Sequence, residues 1–156
     1  MIMNKFVLLD LEGTVIDTID DQNITDDIPK IRKWLEGENV PSVGIFSFAI
    51  DNKEERDTFM RQYTRRTLES LLKVDIGKVV TTEDAMAAAV SRNRVRFEAL
   101  WEFKQLWGKE RGFIDFAFQN FTNAEVVLLD DLVIDQTVVF PTKNLTIRLV
   151  NVNTLK

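Results

Sequence analysis

An α/β fold built on a mainly parallel sheet is predicted by three features of this sequence. The first is a pair of short, unbroken apolar runs, Phe6-Val7-Leu8-Leu9 and Val126-Val127-Leu128-Leu129. Such runs are too short for helices and suit strands buried on both faces. The second is the alternation of strand-like runs with segments of helical apolar period, the pattern of βα units. The third is that both runs end in acid. Asp10-Leu11-Glu12-Gly13 follows the first, and Asp130-Asp131, then Asp135, follow the second. Open α/β sheets bind ligands at the carboxyl ends of their strands.

The elements follow in order. The first strand leads into a turn at Gly13, a residue that admits tight backbone turns. Taken alone, Asp-x-Glu-Gly also fits a solvated turn. Thr18 to Asp27 is polar and acidic and reads as a loop or small flap. Asp26 or Asp27 can cap a helix over Ile28 to Glu36, with Pro29 in its first turn and Gly37 as its stop. Ile28, Ile31 and Leu35 form its apolar stripe, with Trp34 beside them. After Pro41, a strand over Val43 to Ala49 carries one hydroxyl, Ser47, in an apolar run. Asn52 and Glu55, in capping-box spacing, open a long helix to about Lys73. Phe59, Met60, Tyr63, Leu68, Leu71 and Leu72 share one face of it. Arg56, Arg61, Arg65 and Arg66 read as its solvated face.

Gly77 to Thr81 reads as a short strand and Glu83 to Val90 as an Ala-rich helix. Arg92, Arg94 and Arg96 precede a helix through Trp101 to Trp107, and another helix runs from about Glu110 to Phe121. Their aromatic residues read as core rather than as a partner surface. Gln136 to Phe140 and Leu145 to Val152 form a hairpin or edge pair, with Leu145, Ile147 and Leu149 alternating with Thr146 and Arg148. No repeat or linker interrupts residues 1–156, so one domain is expected. The fold class is a three-layer Rossmann-like parallel sheet with helices on both faces and a C-terminal β-hairpin or edge strands.

Composition narrows the chemistry. The 156 residues are 45% hydrophobic and 29% charged, ordinary for a soluble globular chain able to bury a core. No long apolar span or signal-peptide pattern is present, so a cytoplasmic protein with no membrane role is expected. Cysteine and histidine are both absent. That removes disulfides, thiolate zinc sites, cysteine nucleophiles, Ser-His-Asp triads and histidine bases. Carboxylates, hydroxyls, Lys, Arg and oxygen-ligated metal remain. A net charge of −5 argues against a surface that coats nucleic acid, though not against a site for one phosphate.

These residues resemble the haloacid dehalogenase superfamily, whose commonest members are magnesium-dependent phosphatases. Its first motif is an apolar strand followed by Asp-x-Asp-Gly-Thr, matched by Asp10-Leu11-Glu12-Gly13-Thr14 with Asp17-Thr18 after it. Its second is a strand ending in Ser or Thr, matched by Ile45-Phe46-Ser47. Its third is a Lys before the fourth strand; Lys109, which opens a helix after Gly108, is preferred over Lys104. Its fourth is an apolar strand ending in paired Asp, matched by Asp130-Asp131 and followed by Asp135. The resemblance spans residues 5 to about 140.

The resemblance implies a phosphomonoesterase with Asp10 as nucleophile, since a carboxylate can carry a phosphoryl group. It implies Mg2+, a cation suited to oxygen ligands, held by the Asp10 carboxylate, the Glu12 backbone carbonyl and Asp130 or Asp131. Asp131 is favoured, with Asp135 a ligand or support. Ser47 and Lys109 would bind and neutralise the phosphoryl group, and Gly13 and Thr14 would shape the phosphate-facing turn. Glu12 stands where most of the family's phosphatases have an acid–base Asp. Its extra methylene adds about 1.5 Å of reach. That change either alters the reaction or marks a weakly active or non-catalytic relative that binds a phosphorylated ligand or partner protein. No large cap domain is expected, because the insertion sites at Thr18 to Asp27 and Thr82 to Arg96 are short. The substrate size is open: a phosphorylated protein or a nucleic-acid end could enter, or a small phosphate if an oligomer partner closed the site. Arg92, Arg94 and Arg96 read as solvated rather than as phosphate contacts.

Overall fold

The two strongest apolar runs of the chain lie side by side. The computed structural model describes residues 4–155. In it, β1 (Asn4–Leu9) pairs in parallel with β4 (Ala124–Asp130), matching Phe6 to Val126 and Leu9 to Leu129. β2 (Ser42–Phe46) flanks β1 on its other side, and β3 (Asp75–Val80) flanks β2, both in parallel. β6 (Leu145–Asn151) joins β4 in parallel, and β5 (Gln136–Phe140) returns antiparallel along β6. The six-stranded order is β3-β2-β1-β4-β6-β5, so β1 and β4 are central and β5 is the expected C-terminal edge strand. Asp10 and Asp130 therefore stand at neighbouring strand ends, where the Asp10 amide donates to the Leu129 carbonyl at 2.9 Å.

Strand alternation divides the buried residues into two clusters. Val7, Leu9, Ile45, Val127 and Leu129 pack with Ile28, Ile31 and Leu35 of α1 (Ile28–Gly37). Phe59 of α2 (Lys53–Arg61) and Leu68 and Leu72 of α3 (Tyr63–Leu72) complete that cluster. Leu8, Phe46, Val126 and Leu128 pack instead with Ala85 and Ala89 of α4 (Thr82–Asn93) and with Phe113 and Phe116 of α6 (Lys109–Asn120). Phe46 meets Phe113 edge-on at 5.1 Å. Among the described residues, no helix is long and apolar enough to cross a membrane.

Three local expectations change. The long helix after Asn52 is two helices, broken at Gln62, whose ψ of 153° leaves the helical region. Neither Gly nor Pro marks the break. Gln22 does: its side-chain amide donates to Gln62 Oε1 at 3.0 Å, while its carbonyl oxygen accepts from the Thr64 hydroxyl. The break leaves Tyr63 80% exposed rather than on the buried face. Second, the segment around Trp101 is a single turn, α5 (Leu100–Glu102), continued by a π turn over Phe103–Trp107. That wider turn buries Phe103 but leaves Trp101 and Leu106 more than half exposed. Third, Asp27 occupies the cap position of α1 without a side-chain capping bond; its carboxylate lies 3.1 Å from Lys30 Nζ. The Asn52 cap forms as expected, accepting from the Glu55 amide at 2.9 Å. The α4 helix gains a capping box from Thr81 and Asp84.

Phe46 joins the sheet to α6 and is fully buried. Phe46→Ala should lower unfolding stability by about 3–5 kcal/mol, read as a fall in the urea midpoint at unchanged slope.

Candidate functional site

The carboxyl ends of β1 and β4 bring together six of the predicted residues, Asp10, Gly13, Thr14, Lys109, Asp130 and Asp131. The chain leaves β1 at Asp10 and turns at Gly13, which sits at φ +80°. The backbone angle favours glycine, and a Cβ there would lie 2.3 Å from Asp131 Oδ2 and push that carboxylate aside. At the end of β4, Asp130 is fully buried and its Oδ1 accepts from the Leu132 amide at 3.0 Å. Across the gap, α6 begins at Lys109. Gly108, at φ +92° and ψ 165°, makes the turn that swings Lys109 inward. Lys109 Nζ donates to Asp10 Oδ1 at 2.8 Å and lies 3.0 Å from Asp130 Oδ2.

Thr14 joins the remaining acid to this group. Its hydroxyl is 3.3 Å from Asp10 Oδ2 and 3.4 Å from Asp131 Oδ1. Asp10, Asp130 and Asp131 each offer a carboxylate oxygen, all within 4.8 Å of one another, a grouping that could hold a metal ion. Asp131 is the most accessible of the three. The Asn151 side chain braces the following turn, donating to the carbonyls of Asp131 at 3.2 Å and Val133 at 2.8 Å.

The electrostatics record a surplus of negative charge. Burial pushes the Asp10 carboxyl up to about 7 against the pull of Lys109, and the carboxylates of Asp130 and Asp131 push the same way. Burial, then Asp130, raise Asp131 as well. Burial alone would lower the Lys109 ammonium, but Asp10 and Asp130 outweigh it and hold the group above its ordinary value. Three carboxylates share one ammonium, and an added cation is the balance such a cluster lacks.

The other predicted residues lie apart from this group or are otherwise engaged. Ser47, buried just beyond β2, accepts from the Ala49 amide at 3.0 Å. The exposed Glu12 carboxylate accepts from the Ile19 amide at 2.8 Å, tying it to the flap. Asp135 accepts from the Asn151 amide at 2.6 Å and is outside the carboxylate group. Lys104 pairs with Asp51 at 2.6 Å, leaving Lys109 as the lysine on Asp10. Arg92, expected to be solvated, instead binds buried Asp115 at 2.7 Å and stacks over Phe118 at 4.6 Å. Arg94 and Arg96 are exposed.

Sequence reasoning did not find Asn151, Asp115 or the Gln22 network. Each works through a contact between segments distant in the chain, and no local spacing signals it. The flap has its own anchor. Asp17 accepts from Asn23 Nδ2 at 2.8 Å and from the Thr18 and Asn23 amides, and those bonds hold its carboxyl below the usual range.

Asp10 makes stability pH-dependent in a definite direction. Below about pH 4 its carboxyl is neutral in folded and unfolded chains alike. Between that pH and about 7, only the unfolded chain ionises it. The stability carried by the neutral carboxyl is therefore complete below about pH 4 and lost as pH rises through about 7. Asp10→Asn has no such loss. In chelator, the urea midpoint of wild type minus that of Asp10→Asn should fall across this window; a constant difference would contradict the charge surplus.

No protein-family model, curated protein or solved structure matches this chain, so the chemistry of the site rests on its own geometry.

Proposed function

We propose that this chain is a magnesium-dependent phosphomonoester hydrolase of the haloacid dehalogenase type, working through an aspartyl phosphate on Asp10. The observation that carries the reading is the convergence of Asp10, Lys109, Asp130 and Asp131 at the carboxyl ends of two central parallel strands. The two separate core clusters support a three-layer Rossmann-like arrangement beneath that edge.

The donor set is all oxygen and carries surplus negative charge, which suits Mg2+ better than a softer ion. Asp10, the Glu12 carbonyl and Asp131 would hold it. Asp130 is less suited, since its Oδ1 serves the Leu132 amide and its Oδ2 faces Lys109. Bound there, Mg2+ supplies the positive charge that lets an anionic phosphoryl group approach an anionic nucleophile.

The protein's own groups supply the rest. An Asp10 oxygen attacks phosphorus, the bond from phosphorus to the leaving oxygen breaks, and Glu12 protonates that oxygen. Water then attacks phosphorus and gives its proton to Glu12. The bond between Asp10 and phosphorus breaks, releasing inorganic phosphate and restoring the carboxylate. Lys109 offsets part of the cost of ionising Asp10 and of the charge on the phosphoryl oxygens. Ser47 lies at the end of the strand beside β1 and donates to a phosphoryl oxygen once its hydroxyl rotates. Gly13 and Thr14 hold the turn beneath. The short loop between β1 and α1 leaves the site open to a bulky substrate.

One observation favours a second reading, a phosphate-binding protein on the same scaffold. The Glu12 carboxylate, the required acid, is engaged by the Ile19 amide. Phosphate release from a phosphomonoester panel separates the two. A hydrolase should show Mg2+-dependent turnover that falls by about 10³-fold or more in Asp10→Asn. It should also show an Mg2+-dependent rise in melting temperature that Asp131→Asn loses. A silent wild type that gains turnover in Glu12→Asp would establish the binding reading instead.

A further inference from the structure

A hollow of about 390 Å3 opens beside the carboxylate group, and Lys109 and Asp130 are among its lining residues. Its remaining walls include Trp107, Arg111, Leu132 and Val133. Trp107 and Arg111 are held in place. The Trp107 indole N–H donates to buried Asp115 at 2.7 Å, and the Arg111 guanidinium covers the ring at 4.2 Å. Arg111 is itself anchored on the Leu106 and Trp107 carbonyls. The Leu132 amide is held by Asp130, one of the site's own acids, while its side chain is 81% exposed. Ile134, two residues further, is 73% exposed. A single exposed leucine is ordinary, but Leu132 lines a hollow that also contains Lys109 and Asp130.

Glu12 gives an independent indication. Its carboxylate rests on the Ile19 amide, so a leaving group that depends on strong protonation needs that bond exchanged first. Phenols ionise near pH 10, whereas aliphatic alcohols are weaker acids nearer to water itself. An aryl oxygen therefore leaves with little acid assistance.

On the phosphatase reading above, we infer that the substrates are aryl phosphomonoesters, with the aromatic leaving group seated in the hollow between Trp107 and Leu132. The Asp10 oxygen bonds to phosphorus as the phosphorus–oxygen bond to the ring breaks. The phenolate departs with the bonding pair and takes its proton from water. Hydrolysis of the aspartyl phosphate then releases inorganic phosphate. A sugar phosphate would set some of its hydroxyls against the side chains of Trp107, Leu132 and Val133, which offer no oxygen or nitrogen free to pair with them, while Glu110 and Arg111 supply the polar part of the lining.

The test uses the full chain with Mg2+ and three probes: 2-naphthyl phosphate, a phosphotyrosyl peptide and glucose 6-phosphate. The aryl esters should exceed the sugar ester in kcat/KM by about 100-fold, and Leu132→Ser should shrink that ratio by about 10-fold. Glu12→Gln should still release a burst of naphthol, the mark of a first step that needs little acid. A larger kcat/KM for the peptide assigns a protein source for the aryl group; a larger value for the naphthyl ester assigns a small molecule. Both support the inference. Equal kcat/KM for aryl and sugar esters, or a ratio insensitive to Leu132→Ser, overturns it while leaving the phosphatase reading intact. Failure of all three probes to turn over with Mg2+ overturns both.

Discussion

The Lys109 ammonium, 2.8 Å from Asp10 and 3.0 Å from Asp130, is the contact on which the rest of the site depends. Both acids are buried, and among the described residues the ammonium is the one cationic group in contact with them. The pair spans 99 residues of sequence between Asp10 and Lys109, so it closes only when β1, β4 and α6 are all in place. Removing one partner of such a pair costs about 3–5 kcal/mol, because the other is left buried and unpaired. The sheet serves the pair by placing β1 and β4 next to one another, and Gly108 serves it by turning the chain at the start of α6.

That single cation does not neutralise the group. Asp131 adds a third carboxylate, and Thr14 bridges it to Asp10 with one hydroxyl. Gly13 admits this packing because any side chain there would displace the Asp131 carboxylate. A sheet edge that gathers three acids under burial, with charge left over, is poorly explained by folding stability alone. Replacing such groups by apolar residues is often neutral or stabilising. The arrangement makes sense where a ligand supplies the missing charge.

Much of this was legible because the signals were local. Each acidic motif follows directly on an apolar strand, so Asp10, Asp130 and Asp131 could be placed at strand ends without knowing the fold. Lys109 was distinguishable from Lys104 by its position at a helix start after glycine, and the structure puts it on Asp10 while Lys104 binds Asp51. The strands fall where expected for the same reason, since a continuous run such as Val126-Val127-Leu128-Leu129 has few alternatives once its length is fixed, although β2 ends at Phe46, short of the expected Ala49, and leaves Ser47 outside it. What stayed hidden depends on partners far along the chain. The break at Gln62 lies against Gln22, forty residues earlier. The burial of Phe103 beside exposed Leu106 reflects a π turn that shifts the helical period. Arg92 looked solvated because nothing near it in sequence announces Asp115.

The contact of Glu12 with the flap shows how one methylene can change a site. Glutamate and aspartate share a carboxyl group, but glutamate reaches about 1.5 Å further. Here that reach carries the carboxylate to the Ile19 amide, outside the packed group of Asp10, Asp130 and Asp131. The flap it grips is already pinned by Asp17 through Asn23 and by Gln22 through Gln62. On the proposed hydrolase reading, releasing Glu12 for proton transfer does not require the flap to unfold, only the exchange of one exposed hydrogen bond for a bond to substrate. The net free energy of such an exchange is about 0.5–1.5 kcal/mol, small beside the barriers of phosphoryl transfer. On that reading the contact biases the acid towards a resting position without forbidding its use, and so favours leaving groups that need it least.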